Sequence, residues 1–135
     1  MNLVNELLER FNITELSQDA GGVRWFTTTS LDLRELATYM RQAGARFVTI
    51  TACELPREEG FCLEYLWDRD GCLYGFPFST AVKTMPSIYD LCEAVDWIER
   101  EIHEEYAIDF TGREYEPLLL RAGDRSGVNL QEAAK

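Results

Sequence analysis

The chain has 135 residues, the length of one ordinary domain, and its 46% hydrophobic and 12% aromatic content is enough to build a core. A chain of this length buries roughly two-thirds of its unfolded surface on folding, which excludes an intrinsically disordered segment. With 24 acids against 13 Lys plus Arg the formal net charge is −11. Phosphate backbones and anionic membrane surfaces are repelled by such a chain, so nucleic acid is not an expected partner. The charge serves solubility in general; its more specific reading is a protein partner with a basic face.

No apolar run approaches the roughly 20 residues a membrane span needs. The first ten residues, MNLVNELLER, carry acids inside their apolar stretch and have no basic lead, unlike a secretory signal. The expectation is a cytoplasmic chain without direct membrane insertion, reaching a membrane only through partners.

In chain order, Leu3, Val4, Leu7, Leu8 and Phe11 recur at helical spacing and predict a short amphipathic helix. Ile13–Ser17 reads as a first strand, 18–22 as a turn, and Val23–Thr29 as a second strand. Ser30 or Asp32 caps the next helix, with Glu35 three residues after Asp32 in a capping-box arrangement. Leu33, Leu36, Ala37 and Met40 form its apolar stripe, and Gly44 stops it. Arg46–Leu55 follows as a strand, with Val48, Ile50 and Ala52 expected on one face.

Phe61–Asp68 alternates most clearly: Phe61, Leu63, Tyr65 and Trp67 point one way, and Cys62, Glu64, Leu66 and Asp68 the other. A turn at 68–71 leads into Cys72–Thr80, with Tyr74, Phe76 and Phe78 on one face, so these two strands pair antiparallel. Pro77 places the second of them near an edge or a bulge. Ser87 is a candidate cap for a helix carrying Ile88, Leu91, Cys92, Val95, Ile98 and Ile102 on one face. The pattern breaks after Tyr106, and 122–135 reads as a flexible polar tail. The sum is a single α+β domain over 1–121, an antiparallel or mixed sheet of about four or five strands with helices packed on one face.

Cys53, Cys62, Cys72 and Cys92 lack zinc-finger or ferredoxin spacing, so no metal site is expected from them. Three lie in apolar strand-like runs, which predicts buried thiols that act as small hydrophobes. On the last helix, Asp96, Arg100 and Glu104 fall four residues apart and can form i,i+4 pairs worth about 0.2–0.5 kcal/mol each. Glu93, Glu99, Glu101, Glu105 and Asp109 crowd the same segment. Nothing nearby in sequence, neither a Gly-rich loop nor an obvious nucleophile, turns these carboxylates into a catalytic set.

The segment from Trp97 to Arg113, WIEREIHEEYAIDFTGR, together with Leu118–Leu120, resembles the hallmark of the thirty-kilodalton subunit family shared by respiratory complex I and membrane-bound energy-converting nickel–iron hydrogenases. Glu99, Arg100 and Glu101 match its Glu-Arg-Glu triplet and Glu104 the acid that follows. Tyr106, Ile108, Phe110, Gly112 and the leucines match the later positions. The approach through Pro86, Ser87 and Ile88 and through Ala94 and Trp97 fits as well. Ala107 stands where the pattern has Gly, Glu105 where an apolar residue is usual, and Arg113-Glu114 where it has His-Pro. The short stretch after the leucines, in place of a long basic tail, favours the hydrogenase branch.

The resemblance implies a non-catalytic subunit with no cofactor of its own. Its partners would be a large hydrogenase-type subunit and a small iron–sulfur subunit, which would carry the nickel–iron and iron–sulfur centres. Glu99, Arg100, Glu101, Glu104 and Arg113 would form the partner interface, and the isolated chain would self-associate through exposed apolar surface, to which Trp25, Trp67 or Trp97 contributes. The equivalent subunit of a complex I-type NADH/quinone oxidoreductase is the nearest alternative. Two others stand outside the family: an enzyme using His103, the only histidine, oriented by Glu99; and a stand-alone ligand-binding module with a closed pocket.

Overall fold

The computed structural model describes residues 3–18, 21–29 and 31–114. The elements, in order, are helix α1 (Leu3–Phe11), strands β1 (Glu15–Gln18) and β2 (Val23–Phe26), helix α2 (Leu33–Gln42), and strands β3 (Arg46–Glu54), β4 (Phe61–Arg69), β5 (Cys72–Thr80) and β6 (Thr84–Pro86). Helix α3 (Asp96–Tyr106) and strand β7 (Asp109–Thr111) complete the described chain. Five strands form one sheet in the order β1-β2-β5-β4-β3. Every neighbouring pair is antiparallel except β2–β5, which is parallel. The fold is α+β, with a mixed, mostly antiparallel sheet and helices packed against it. The leucine-rich end and the predicted 122–135 tail lie outside the described residues, as does Ser30.

Alternation in β4 sends Phe61, Leu63, Tyr65 and Trp67 inward, and the β4–β5 register sets Tyr74, Phe76 and Phe78 beside them. Leu3, Val4 and Leu7 of α1 and Leu33, Leu36, Ala37 and Met40 of α2 close the same core. Aromatic rings interlock inside it: Phe26 meets Phe76 edge-on at 5.2 Å, and Tyr65 meets Phe78 at 5.6 Å. Asp32 caps α2 as read, its carboxylate accepting from the Glu35 amide at 2.9 Å.

In β3 the inward residues are Phe47 and Ile50, not Val48, which is exposed. A bulge between Phe47 and Thr49 shifts the register, and one inserted residue exchanges the faces on either side of it. Pro77 sits in an inner strand, paired with Glu64 of β4. The pairing with β2 ends at Gly75, so the missing amide falls where the other edge of β5 has no ladder partner. The Thr28 hydroxyl donates to the Pro77 carbonyl there.

The predicted helix beginning at Ser87 starts later. Ile88 to Cys92 make a single turn, with the Cys92 amide donating to the Ile88 carbonyl at 2.8 Å. Cys92 is then extended, and α3 begins only after a short 3-10 turn at Glu93–Val95. Helical spacing of Ile88, Leu91, Cys92 and Val95 is satisfied by this broken path. Strands β6 and β7, absent from the sequence reading, are three residues each and pair in parallel. Helix α3 is the crossover between them, above Met85 and Phe110, which are both buried.

Candidate functional site

Helix α3 has two very different acidic residues in its triplet. Glu99 is fully buried, and Glu101 is half-exposed. Glu99 turns toward the Ser87–Ile88 segment: its Oε1 accepts from the Ser87 hydroxyl at 2.7 Å and its Oε2 from the Ile88 amide at 3.0 Å. Arg113, just past β7, reaches back with its Nη1 3.2 Å from Glu99 Oε1 and its Nη2 2.5 Å from Asp96 Oδ1. Its side chain is only 6% exposed, and its guanidinium lies over the Tyr89 ring at 4.8 Å.

The network continues outward. The Ser87 hydroxyl also accepts from the Tyr89 amide at 3.1 Å. Arg34 of α2 donates to the Ser87 carbonyl at 2.6 Å and grips both carboxylate oxygens of Asp90 at 2.8 and 2.7 Å. The Ser87 amide donates to the Thr111 carbonyl at 3.0 Å. Ser87 therefore caps the single turn at Ile88–Cys92 and not α3. It is the node at which α2, α3, β7 and the Arg113 turn meet.

Burial pushes the Glu99 carboxyl above its ordinary range, and the donors from Ser87, Ile88 and Arg113 offset only part of that. Burial also acts against the charge on Arg113, but its bonds to Asp96 and Glu99 outweigh it and hold the guanidinium above its usual value. Asp96 lies in the first turn of α3, where a carboxylate meets the positive end of the helix dipole.

Of the residues singled out in the sequence, the structure brings Glu99 and Arg113 together inside the fold. Glu104 is 5% exposed. The Asp96–Arg100 step of the predicted ladder forms at 3.7 Å. Arg100 lies over the indole of Trp97 at 5.6 Å, and its Nε is buried without a hydrogen-bond partner among the described residues. Trp97 is 60% exposed, whereas Trp67 is a core residue and the Trp25 indole covers Gly75. His103 donates from Nδ1 to the Ile108 carbonyl at 2.9 Å, across the turn that ends α3. Ala107 makes that turn in the left-handed region, at φ 58° and ψ 28°.

The thiols are not the buried hydrophobes expected. Cys53 and Cys72 are exposed, and Cys62 and Cys92 are half-buried. The alternation of Phe61–Asp68 already set Cys62 opposite the apolar face, and the thiol expectation rested on apolar neighbours instead. Ser87, Asp96, Tyr89 and Arg34 were missed as members of the network; the Pro-Ser-Ile run was the only local signal, and it was read as a helix entry.

Among the described residues no helix is long and apolar enough to cross a membrane, and no three His, Cys, Asp or Glu side chains converge as a metal site. Among solved structures, the chain is similar to one from the membrane-bound sulfane sulfur reductase, an archaeal respiratory membrane complex. That match has a TM-score of 0.77 and 19% identity over 93% of this chain and 78% of that one. It is also similar to the trypsin-resistant fragment of Nqo5, at a TM-score of 0.64 and 19% identity over 84% of this chain and 98% of that one. At such identities the likeness speaks for the fold. No curated protein matches. The sequence model of the respiratory-chain NADH dehydrogenase 30 Kd subunit matches residues 26–131, most of the chain and all of the Glu99–Arg113 network, and the protein belongs to that family.

Proposed function

We propose that the chain is a non-catalytic subunit that docks through the outer side of α3 onto the electron-transfer subunits of a membrane-bound energy-converting nickel–iron hydrogenase. The observation that carries the docking reading is Trp97: a large aromatic, 60% exposed, next to Arg100, on a helix locked from behind by Glu99 and Arg113. Tryptophan and arginine are the residue types that most often dominate binding energy at interfaces.

Within the predicted interface, Glu101 and Arg100 take the contact role. Glu99 and Arg113 hold the helix in place, and Glu104 stands between the two roles as a buried acid on the same helix. The chain would bind no cofactor itself. The nickel–iron and iron–sulfur centres would sit on a large and a small partner subunit, and the complex would move electrons to protons with coupled ion translocation. Family membership and the likeness to a chain of a respiratory membrane complex support a peripheral subunit reached through partners. They support equally a complex I-type NADH/quinone oxidoreductase.

Tagged protein purified from native membranes tests the reading. Co-purification of a large subunit carrying paired Cys-x-x-Cys motifs supports the hydrogenase, and a large subunit without them supports the quinone branch. Trp97→Ala and Arg100→Ala should each lower partner recovery by at least about tenfold, the loss of roughly 1.4 kcal/mol. Unchanged recovery in both variants overturns the docking surface.

A further inference from the structure

Cys53 and Cys62 lie directly opposite each other in the antiparallel β3–β4 ladder. The hydrogen bond from Leu55 to the facing Gly60 makes Cys53 and Cys62, two steps along the ladder, a hydrogen-bonded pair with Cα atoms about 5.5 Å apart. That separation lies in the roughly 4.4–6.8 Å range a disulfide spans, and bond formation draws the two Cβ atoms to within about 4.5 Å. Cys62 alternates with the buried Phe61 and Leu63, so the pair faces away from the core. Both thiols are free; Cys53 is exposed and Cys62 half-buried.

The hairpin holds that register firmly. The Leu55 amide donates to the Gly60 carbonyl at 2.8 Å just beyond the pair. Gly60 has a φ of +117°, and a Cβ there would overlap the Thr80 carbonyl oxygen of β5, so the chain end of β4 is pressed against its neighbour. Cys72 instead faces Arg69 in the β4–β5 ladder, and Cys92 lies in the segment before α3. Neither has a cysteine opposite it.

We propose that Cys53 and Cys62 form a reversible dithiol–disulfide couple on the open face of the sheet, oxidised by a small-molecule disulfide of the glutathione class. The exposed Cys53, as thiolate, attacks one sulfur of the reagent, forming a mixed disulfide and expelling one thiolate. Cys62, after losing its proton to solvent, attacks the Cys53 sulfur and expels the second. Two electrons pass from the cysteines to the reagent, and two protons end on the released thiols. Burial raises the Cys62 thiol, which is hydrogen-bonded to Ser79, and this leaves the first attack to the exposed Cys53. The bond would lock the end of the hairpin on which α3 rests, where Phe61 meets Tyr106 edge-on at 5.9 Å.

The full chain, equilibrated in a glutathione redox buffer and quenched with acid, tests this by peptide mapping. Trypsin cuts after Arg57, between the two cysteines, so peptides 47–57 and 58–69 stay joined only through the disulfide. The expected product is that linked pair, lighter by two hydrogens, with a higher Tm than the reduced chain and full reversal by a dithiol reductant. Cys62→Ser should instead accumulate a glutathione adduct on Cys53. A Cys72→Ser, Cys92→Ser double variant should cross-link as the wild type does. Persistent adducts on Cys53 in the wild type, linkage through Cys72 or Cys92, or disulfide-joined dimers would each overturn the proposal.

Discussion

Arg113 Nη1 stands 3.2 Å from Glu99 Oε1, with Glu99 removed from water entirely and Arg113 nearly so. Two charges in such a place are tolerated because each is fully engaged: Glu99 by Ser87, Ile88 and Arg113, and Arg113 by Asp96, Glu99 and the Tyr89 ring. The bonds tie together three pieces of chain that have little regular structure in common. Glu99, in the middle of α3, thus fixes both the loop that enters the helix and the turn that follows β7. These bonds hold the inner side of the helix whose outer side carries Trp97.

Glu99→Ala should lower the unfolding free energy by about 3 kcal/mol, because it leaves Arg113 buried with one carboxylate instead of two. Urea unfolding reads this directly. Glu99→Gln separates charge from shape. Burial raises the Glu99 carboxyl above the ordinary value of 4.5, so the folded state holds the proton to higher pH than the unfolded chain. That contribution to stability is fully present below the unfolded value and is lost as pH rises through the folded one. The stability of wild type relative to Glu99→Gln should therefore fall over the pH range above the ordinary value of 4.5. A difference that is flat or rises over this window would show that Glu99 does not titrate as its burial requires.

Arg113→Lys keeps the charge but loses the planar fork that reaches Asp96 and Glu99 together, and the flat surface over Tyr89. The expected loss is about 1–2 kcal/mol. Thermal melts of Lys and Ala variants should rank wild type first, then Lys, then Ala. Equal melts for wild type and Lys would assign Arg113 only a point-charge role.

Much of the fold could be read from local pattern. The alternation of Phe61–Asp68 specified β4, the turn at Asp70 and Gly71 specified its hairpin with β5, and Asp32 specified the start of α2. The misreadings share a different cause. The bulge at Val48 and the extended backbone at Cys92 leave hydrophobic spacing almost intact while changing the path of the chain. Strands β6 and β7 are too short to show a period. Glu99 was read as part of a charged outer face by its residue type, yet its partner Arg113 is 14 residues away, beyond the rest of α3 and β7 in the chain. Packing divides the hallmark residues: Glu99 and Arg113 turn inward and hold the helix, whereas Glu101 stays half-exposed.

Ala107 ends α3 in the left-handed region, at φ 58°, with its amide donating to the His103 carbonyl at 3.0 Å. A side chain there costs roughly 1–2 kcal/mol that glycine avoids, part of which glycine returns through its freer unfolded chain. Ala107→Gly should therefore stabilise the protein by about 0.5–1 kcal/mol. Denaturant midpoints measured at constant m would show it, and a lower midpoint would mean that the Ala107 methyl makes packing contacts worth more than the backbone strain.

Tyr65 offers a test of the core itself. Its ring is well used, edge-on to Phe78 at 5.6 Å and stacked on Trp67 at 6.2 Å. Its hydroxyl, however, is buried without a hydrogen-bond partner among the described residues, and burial, with the nearby Glu99 charge, pushes its ionisation well above the usual range. A buried hydroxyl without a partner costs about 1–3 kcal/mol relative to leaving it in water, while both ring contacts survive its removal. Tyr65→Phe should raise stability by about 1 kcal/mol, with no change in the pH dependence assigned to Glu99. A destabilised Phe variant would instead show that the hydroxyl is satisfied in solution, for example by a water held between it and the α3 network, and would add Tyr65 to the set of groups that fix that helix.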